Sequence, residues 1–370
     1  MEKDIFDRYL NDLKNSKDTL FVLDKKYFYY QSVENFNLII SLNKKMGQID
    51  LLISSLSSFT KSQILQSFLI DEIEATNKIE NIQSTRHDIF YILNNDGIVN
   101  KNKEIKFISN AYKNLLQVEN SPVSTLQDLR DLYDVVLKDA IDKEERPDGK
   151  YFRKNEVCVS NGIKPIHFGV HGEENINRFM LEFLNLYNSK AELFTKLILS
   201  HFVFEYVHPF YNGNGRFGRF LFTKKLFKET NSICSFLIST AFEKERTKYY
   251  KAFKAADDRY QFGCLNQYLK IITEILNDYF DKTLNTLKDN INRLNNLIIP
   301  EGFTKSEIKV YKLLGEATIY STYGVSNEEI MDQTGISKRT LIYSLNKFKA
   351  SDMIEDTKVG KTTYHKLVER

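Results

Sequence analysis

Several features that place proteins in special classes are scarce in this sequence. The 370 residues include five prolines and fifteen glycines, too few for a Pro-rich scaffold, a collagen-like repeat or a disordered chain. The three cysteines, Cys158, Cys234 and Cys264, are far apart and in no metal-ligand spacing, which predicts reduced thiols and argues against an exported, disulfide-stapled protein. The 52 basic and 49 acidic residues leave a net charge of +3, so any nucleic-acid contact would need a local patch.

Long apolar segments are also missing. The charged start MEKDIFDRYLNDLKNSKD has no apolar core of the kind that signal peptides carry, and no uninterrupted apolar run reaches membrane-spanning length. We therefore expect a cytoplasmic protein that makes no membrane contact. The length and the 42% hydrophobic content fit two or three domains with well-filled cores.

Helical periodicity dominates the sequence that is present. Apolar residues that recur every three or four positions predict most of the chain to be helical. The stretches with this spacing are 35–59, 62–82, 126–142, 175–187, 191–207, 216–227 and 265–297. After the last of them, Pro300 and Gly302 indicate a domain boundary.

One stretch breaks the helical pattern. Two short β-like runs, Glu156–Ser160 and Ile163–Phe168, flank Asn161-Gly162. This dipeptide is a strong hairpin signal, because a type I′ turn needs positive φ at both of its central positions. Pro165 cannot donate to a ladder, so we expect the second strand to lie at an edge.

The loop that follows the helix of residues 191–207 begins a segment with unusual chemistry, HPFYNGNGRFGR, at His208–Arg219. Pro209 biases His208 away from helical geometry. Phe210 is apolar in a polar loop, and we expect it to anchor the loop in the core. His208 is then a base held at a defined place next to the rest of the segment.

The second half of this segment is suited to phosphate. The run Asn212–Gly215 allows close approach of bare backbone and opens a helix, whose free N–H groups and positive dipole end favour an anion. Arg216 and Arg219 share one helix face and can point at the same polyanion. A base, an anion cradle and two cations are the parts that nucleotidyl transfer needs.

This segment resembles the signature of the Fic family, HPF-x-acidic-GNGR-x-x-R, at every defined position except one. The resemblance spans about residues 51–254 and includes the hairpin. It implies a mainly α fold, with a Fic-type helical core and a β-hairpin flap that lines up the target. It also implies transfer of AMP from ATP, with Mg²⁺ or Mn²⁺, to a Ser, Thr or Tyr hydroxyl of a target protein or of the chain itself.

The resemblance implies a role for each matching residue. His208 would be the general base. Tyr249 and Tyr250 match an aromatic pair on the adenine side of the nucleotide, with core packing as the alternative for either residue. The residues that would bind the ATP phosphates are Gly213, Asn214, Gly215, Arg216 and Arg219.

The exception to the signature is Asn212, where the family has Asp or Glu to hold the metal. An amide oxygen is a neutral and weaker Mg²⁺ ligand than a carboxylate. We expect Asn212 to hold the metal with reduced affinity and a higher Mg²⁺ or Mn²⁺ requirement. A weakly active Fic-like protein is the alternative.

An upstream pair, Thr76 and Glu80, lies four residues apart on one predicted helix face and is followed by Asn81. Such pairs usually lie on the solvent-exposed face of a helix, but this pair and Asn81 resemble the inhibitory motif of the Fic family. The resemblance implies that Glu80 pairs with Arg219 and leaves ATP in an unproductive pose. Some relatives use the same Glu to remove AMP, and that alternative stays open.

The C-terminal residues predict a small separate unit. Ser326–Glu329 is a capping box, a second helix covers Ser337–Lys349, and Lys358–Lys361 lies between two β-like runs, which together resemble a winged helix-turn-helix. Residues 301–370 carry 11 basic and 10 acidic side chains, a net of +1. This balance favours protein contact, including a homodimer, over DNA binding.

The predicted division is an N-terminal helical region at 1–110, a catalytic core with its following helices at 111–300, and a winged helix-turn-helix at 301–370. A protein AMP transferase that is autoinhibited by Glu80 is the leading function. A nucleotide-sensing transcription regulator is the alternative from another class. Transfer of phosphate or phosphocholine is less favoured, because GNGR matches the AMP-transferring members of the family best.

Overall fold

The computed structural model describes residues 19–94, 103–117, 122–137, 140–160 and 165–368, together with Asp12. The chain is mainly helical, with small β-hairpins. The described helices are, in chain order, α1 (Val33–Ser54), α2 (Ser58–Ile79), α3 (Arg86–Asn94), α4 (Lys103–Gln117), α5 (Leu126–Leu137), α6 (Glu173–Tyr187), α7 (Leu193–Val207), α8 (Asn214–Thr230), α9 (Ile238–Lys244), α10 (Arg246–Ala256), α11 (Asn266–Asn295), α12 (Lys305–Tyr320), α13 (Asn327–Thr334) and α14 (Lys338–Ala350). No helix within these residues combines the length and apolar character that a membrane crossing requires.

Three small antiparallel sheets accompany the helices. Their strands are β1 (Thr19–Val22), β2 (Tyr27–Tyr30), β3 (Cys158–Ser160), β4 (Pro165–Phe168), β5 (Val325–Ser326), β6 (Ile354–Val359) and β7 (Thr362–Leu367). The sheets are the pair β1-β2, the pair β3-β4 and the three-stranded sheet β5-β7-β6.

The main core surrounds a pair of long helices, α1 and α11, that pack along each other. Helix α1 buries Ile39, Leu42, Met46 and Ile49, whose spacing of three and four residues forms a single helix face. That face and the matching face of α11 belong to the same hydrophobic cluster as the helices that carry the HPFYNGNGRFGR segment. The N-terminal helices and the central helices therefore share one core.

Capping chemistry sets a helix boundary that the apolar spacing misplaced. The sequence predicted helical segments within residues 35–59 and a second helical block from residue 62. In the structure α1 ends at Ser54, and Ser57 is the N-cap of α2, where its Oγ accepts a hydrogen bond from Thr60 N at 3.1 Å. A Ser side chain at this position satisfies an otherwise unpaired N–H, so it fixes where the helix begins.

The hairpin β1-β2 was missed in the sequence. Its strands, TLFV and YFYY, are apolar on both faces and so lack the alternation that predicts a strand. Its turn carries positive φ at Leu23, Asp24 and Lys25, with no glycine to signal it. The hairpin predicted at β3-β4 is present, with Val159 opposite His167; its Asn161-Gly162 turn lies outside the described residues.

The C-terminal helices and β5-β7-β6 enclose a second hydrophobic cluster. Helix α13 begins with the predicted capping box of Ser326 and Glu329, and Gly335 ends it with a φ of 69°. The order of α13, α14 and the β6-β7 hairpin follows the expected order. The winged helix-turn-helix assignment and the boundaries 1–110, 111–300 and 301–370 stay predictions.

Helix α2 joins the two clusters. Phe59, in its first turn, is buried in the C-terminal cluster. Glu316 of α12 accepts hydrogen bonds from Ser57 Oγ at 2.5 Å and from Thr60 Oγ1 at 2.6 Å. The opposite end of the 22-residue helix lies about 33 Å away and carries Glu80 at its C-cap.

Candidate active site

The loop between α7 and α8 begins and ends in left-handed backbone. Helix α7 stops at His208, whose φ is 52° and ψ is 60°. Helix α8 starts at Asn214, preceded by Gly213 with a φ of 76°. A Cβ at Gly213 would also lie 2.6 Å from Leu137 Cδ1, so both conformation and close packing require glycine there.

Aromatic packing anchors the loop, as the sequence predicted for Phe210. This residue is fully buried, and its ring stacks on Tyr133 with centroids 3.6 Å apart. The Asn214 side chain clasps the same residue: Oδ1 accepts from Phe210 N at 2.9 Å, and Nδ2 donates to Phe210 O at 2.8 Å. The Asn214 side chain thus fixes the shape of the loop. Only the backbone N–H of Asn214 is then available to an anion.

His208 is set up as a base. Its Nδ1 lies 3.3 Å from Glu205 O, and because a carbonyl oxygen only accepts, this hydrogen bond places the proton on Nδ1 and leaves the Nε2 lone pair free. Burial is the main cause that lowers the pKa of His208 to about 4, so the ring is neutral at pH 7. Burial also raises the pKa of Glu205 to about 8, so the carboxyl 4.0 Å from His208 Nδ1 is neutral as well.

The anion cradle at the start of α8 holds a carboxylate. Arg219 Nη2 donates to Glu80 Oε1 at 2.8 Å. A Cβ at Gly215 would overlap this same oxygen, so the carboxylate lies against the bare backbone of the first turn of α8. Thr76 holds the guanidinium from the other side, where its Oγ1 accepts from Arg219 Nε at 3.0 Å.

The charges of this pair reinforce each other. Burial alone would raise the pKa of Glu80, but the charge and hydrogen bond of Arg219, with a further contribution from Arg216, lower it below its usual value. Burial disfavours the charged form of Arg219, and Glu80 outweighs that effect and raises the pKa of Arg219. Both groups are therefore charged at neutral pH, and the pair is lost only as the pH falls through the lowered pKa of Glu80.

The sequence pattern that defines the Fic/DOC family matches residues 123–226, which contain the whole segment from His208 to Arg219. This segment is a Fic/DOC family domain. The helical fold is similar over 92% of this chain and 98% of a Fic family protein from Desulfovibrio desulfuricans G20, with a TM-score of 0.60 and 18% identity. At that identity the likeness establishes the fold only.

Two further solved structures are similar to parts of the chain. Fic-1 from C. elegans matches 69% of this chain and 73% of its own, at 14% identity and a TM-score of 0.49. A Fic domain containing signaling protein from Bacteroides thetaiotaomicron VPI-5482 matches 68% and 98%, at 17% identity and a TM-score of 0.49.

Contacts outside the signature hold α2 against α8, α9 and α10. Glu72 is fully buried one turn before Thr76 and accepts hydrogen bonds from Ser239 N at 2.7 Å and from Thr223 Oγ1 at 3.1 Å. Arg246 Nη2 donates to Ile79 O at 2.7 Å at the end of the helix. Sequence reasoning missed Glu72, although its spacing of four residues from Thr76 puts it on the same helix face as Glu80.

Asn212 lies beside a carboxylate from another part of the Fic domain. Its Nδ2 donates to Glu145 Oε2 at 2.6 Å, and its Oδ1 is 3.4 Å from Arg216 Nη2. Among the residues that the structure describes, no three His, Cys, Asp or Glu side chains come together as a metal site. Glu145 thus lies on the nitrogen side of the amide, and the amide oxygen is the only side-chain atom of Asn212 that could bind a cation. One protein oxygen is compatible with Mg²⁺, which usually keeps several waters and takes further ligands from substrate phosphates.

The two tyrosines predicted on the adenine side differ in position. Tyr249 is 2% exposed; its ring stacks on Phe242, and its hydroxyl is 2.8 Å from His201 Nε2. In this arrangement a nucleotide base cannot reach Tyr249, so that expectation is corrected to the core-packing alternative. Tyr250 is 44% exposed next to it and stays a predicted adenine-side residue.

Proposed function

We propose that this chain is a protein AMP transferase, which moves the AMP part of ATP to a Ser, Thr or Tyr hydroxyl of a target protein or of itself. The observation that carries the proposal is the Glu80 carboxylate held by Arg219 against Gly215. A carboxylate in that place supports an anion site at the start of α8, next to a neutral histidine. Family membership of residues 123–226 supports the reaction class.

The residues divide the reaction between them. His208 Nε2 takes the proton of the target hydroxyl, whose oxygen forms a bond to the α-phosphorus. The bond from that phosphorus to the bridging oxygen breaks, and pyrophosphate leaves. Backbone N–H groups of Gly213–Gly215 and the guanidinium groups of Arg216 and Arg219 hold the phosphates and stabilise the developing charge.

Glu80 inhibits this reaction in the proposed account. Its carboxylate takes the hydrogen bond of Arg219 that the γ-phosphate needs, so ATP binds with its α-phosphorus out of line with the hydroxyl. The alternative role of Glu80 is to help remove AMP from a modified protein. Comparison of wild type with Glu80→Gly would reveal such removal.

A divalent cation, Mg²⁺ or Mn²⁺, would neutralise phosphate charge when bound. Asn212 Oδ1 would be its ligand from the Fic domain, with water and the phosphates of ATP as the other ligands. The nearly neutral C-terminal unit favours a protein partner or a second copy over DNA.

Intact mass spectrometry tests the proposed activity. The chain carrying Glu80→Gly, which lacks the inhibitory carboxylate, is incubated with ATP and Mn²⁺, and self-modification is read as the mass added to the protein. An added AMP supports the proposal. An added phosphate contradicts it and indicates phosphate transfer instead. No added mass, although ATP binds, also contradicts it and favours the second candidate below.

Replacing Asn212 by aspartate should tighten the binding of the metal. A carboxylate is a stronger ligand than an amide, so we expect Mn²⁺ affinity in the presence of ATP to rise on the order of tenfold, or about 1.4 kcal/mol. Electron paramagnetic resonance of free Mn²⁺ measures this without any turnover. Asn295→Asp, on an exposed position of α11, is the control with the same charge change; equal Mn²⁺ affinity in all three proteins would contradict the role of position 212.

The pKa of His208 should be low in solution. A histidine whose folded pKa is about 4 is neutral from pH 5 upward and is protonated only below that range. NMR titration of the histidine Cε1–H signals, with His208→Gln to assign the resonance, measures this value. A midpoint near 6.5, the value of an exposed histidine, would show that the ring is not buried as described.

A nucleotide-sensing regulator is the second candidate function. Asn212 favours it, because a weakly held metal would allow ATP to bind without efficient transfer. In that case ATP binding would change the interactions of the C-terminal unit, and no AMP would reach protein.

A further inference from the structure

Arg153 lies fully buried beneath the loop between α7 and α8, here called the catalytic loop because it begins at His208. Its Nε donates to His208 O at 2.9 Å, and its Nη2 donates to Val170 O at 2.8 Å and to Val207 O at 3.3 Å. Its Nη1 donates to Asn155 O at 2.5 Å. One guanidinium thus donates hydrogen bonds to main-chain carbonyls on both sides of the flap and at the end of α7, where the catalytic loop begins.

Arginine is suited to this place for a physical reason. Its planar group offers five donors in a fixed fork and stays charged, whereas lysine offers three donors at one point. Burial lowers the pKa of Arg153 to about 10, which still leaves the group protonated at neutral pH. The acceptors around it are carbonyl oxygens, whose partial negative charges offset the loss of water.

The His208 backbone needs such support. Its φ of 52° is uncommon for a residue with a side chain and persists only where the surroundings hold it. Arg153 holds both peptide groups that follow: its Nε binds His208 O, and its own backbone N donates to Pro209 O at 3.2 Å. The direction of the imidazole therefore depends on Arg153.

The residues that follow the flap contact the same guanidinium. A Cβ at Gly169 would lie 2.5 Å from Arg153 Nη2 and 3.1 Å from His208 Cβ, so a glycine lets the chain after β4 press against both residues. Val170 continues this contact, because its N–H donates to Val207 O at 3.1 Å and its carbonyl accepts from Arg153. The end of the flap and the imidazole of His208 are thus both fixed relative to the Arg153 guanidinium.

We propose that Arg153 is a positioning residue that sets the distance between His208 Nε2 and a target hydroxyl presented by the flap. It acts through the carbonyls of His208 and Val170 and contacts neither ATP nor target. The inference rests on the proposed AMP transfer. It implies that Arg153 contributes to the chemical step and leaves nucleotide binding unaffected.

The test compares Arg153→Lys and Arg153→Ala in the full chain carrying Glu80→Gly. Single-turnover rates of AMP transfer should fall on the order of 10²-fold in both, while the Kd of ATP stays that of the parent. Added guanidinium ion should restore part of the rate of Arg153→Ala and none of the rate of Arg153→Lys. An unchanged rate, or an ATP affinity that falls together with the rate, would overturn the proposal, since the latter indicates general loss of structure.

Gly169→Ala is the second variant, for the case in which the Arg153 variants do not fold. Its added Cβ displaces the guanidinium from the flap side, so the transfer rate should fall while the Kd of ATP is unchanged; an unchanged rate overturns the proposal.

NMR distinguishes failure of the positioning role from failure of the proposed AMP transfer. If the parent transfers no AMP, the His208 resonance and pKa should still shift in Arg153→Lys, and identical values there would refute the positioning role.

Discussion

Glu80→Gly should raise the rate of AMP transfer on the order of 10²-fold. The carboxylate occupies Arg219 and the backbone at Gly215, and both become available to the phosphates of ATP when it is removed. Misplacement of a reacting group by about 1 Å can change a rate by this factor, which sets the expected scale. The measurement is the initial rate of label incorporation from ATP carrying an α-phosphate label.

The control for this prediction is Lys78→Gly, in the same last turn of α2. Lys78 Nζ pairs with Glu243 at 2.6 Å, away from the anion cradle. A glycine at position 78 loosens the helix to a similar degree without releasing Arg219, so it should leave the rate near that of wild type. Equal rates in wild type and Glu80→Gly, with both proteins folded, would contradict inhibition by Glu80.

His208→Ala in the Glu80→Gly chain should lower transfer by about 10²- to 10⁴-fold, the usual contribution of a positioned general base. The Kd of ATP should not change, because the proposed role of His208 is to take the proton of the target hydroxyl. The matched control is His87→Ala, whose side chain is 54% exposed on α3. Retention of most activity in His208→Ala would exclude this residue as the base.

The sequence predicts the residues of the candidate active site better than the residues that hold them in position. HPFYNGNGRFGR carries the proposed base, the glycines and the cations within one contiguous segment, so no tertiary information is needed to find it. The resemblance also implied the pairing of Glu80 with Arg219, 139 residues later, and the structure places their atoms 2.8 Å apart.

The residues that hold the candidate active site in position could not be predicted, because their roles depend on contacts between distant parts of the sequence. Arg153 reaches His208 across 55 residues through carbonyl oxygens, which leave no mark in the sequence. Glu72 looks like any helical carboxylate until the fold places it against Ser239 and Thr223. Tyr249 and Tyr250 are alike in sequence, and only packing decides that the first is buried and the second exposed.

The most direct test of the account is transfer to protein from ATP labelled at either the α- or the γ-phosphate, in the presence of Mg²⁺ or Mn²⁺. The samples are wild type, Glu80→Gly and Glu80→Gly with His208→Ala, and self-modification is the readout. The account predicts label from the α-position only, strongest in Glu80→Gly and nearly lost when His208 is also replaced. Label from the γ-position, or no label in any sample that binds ATP, would contradict it.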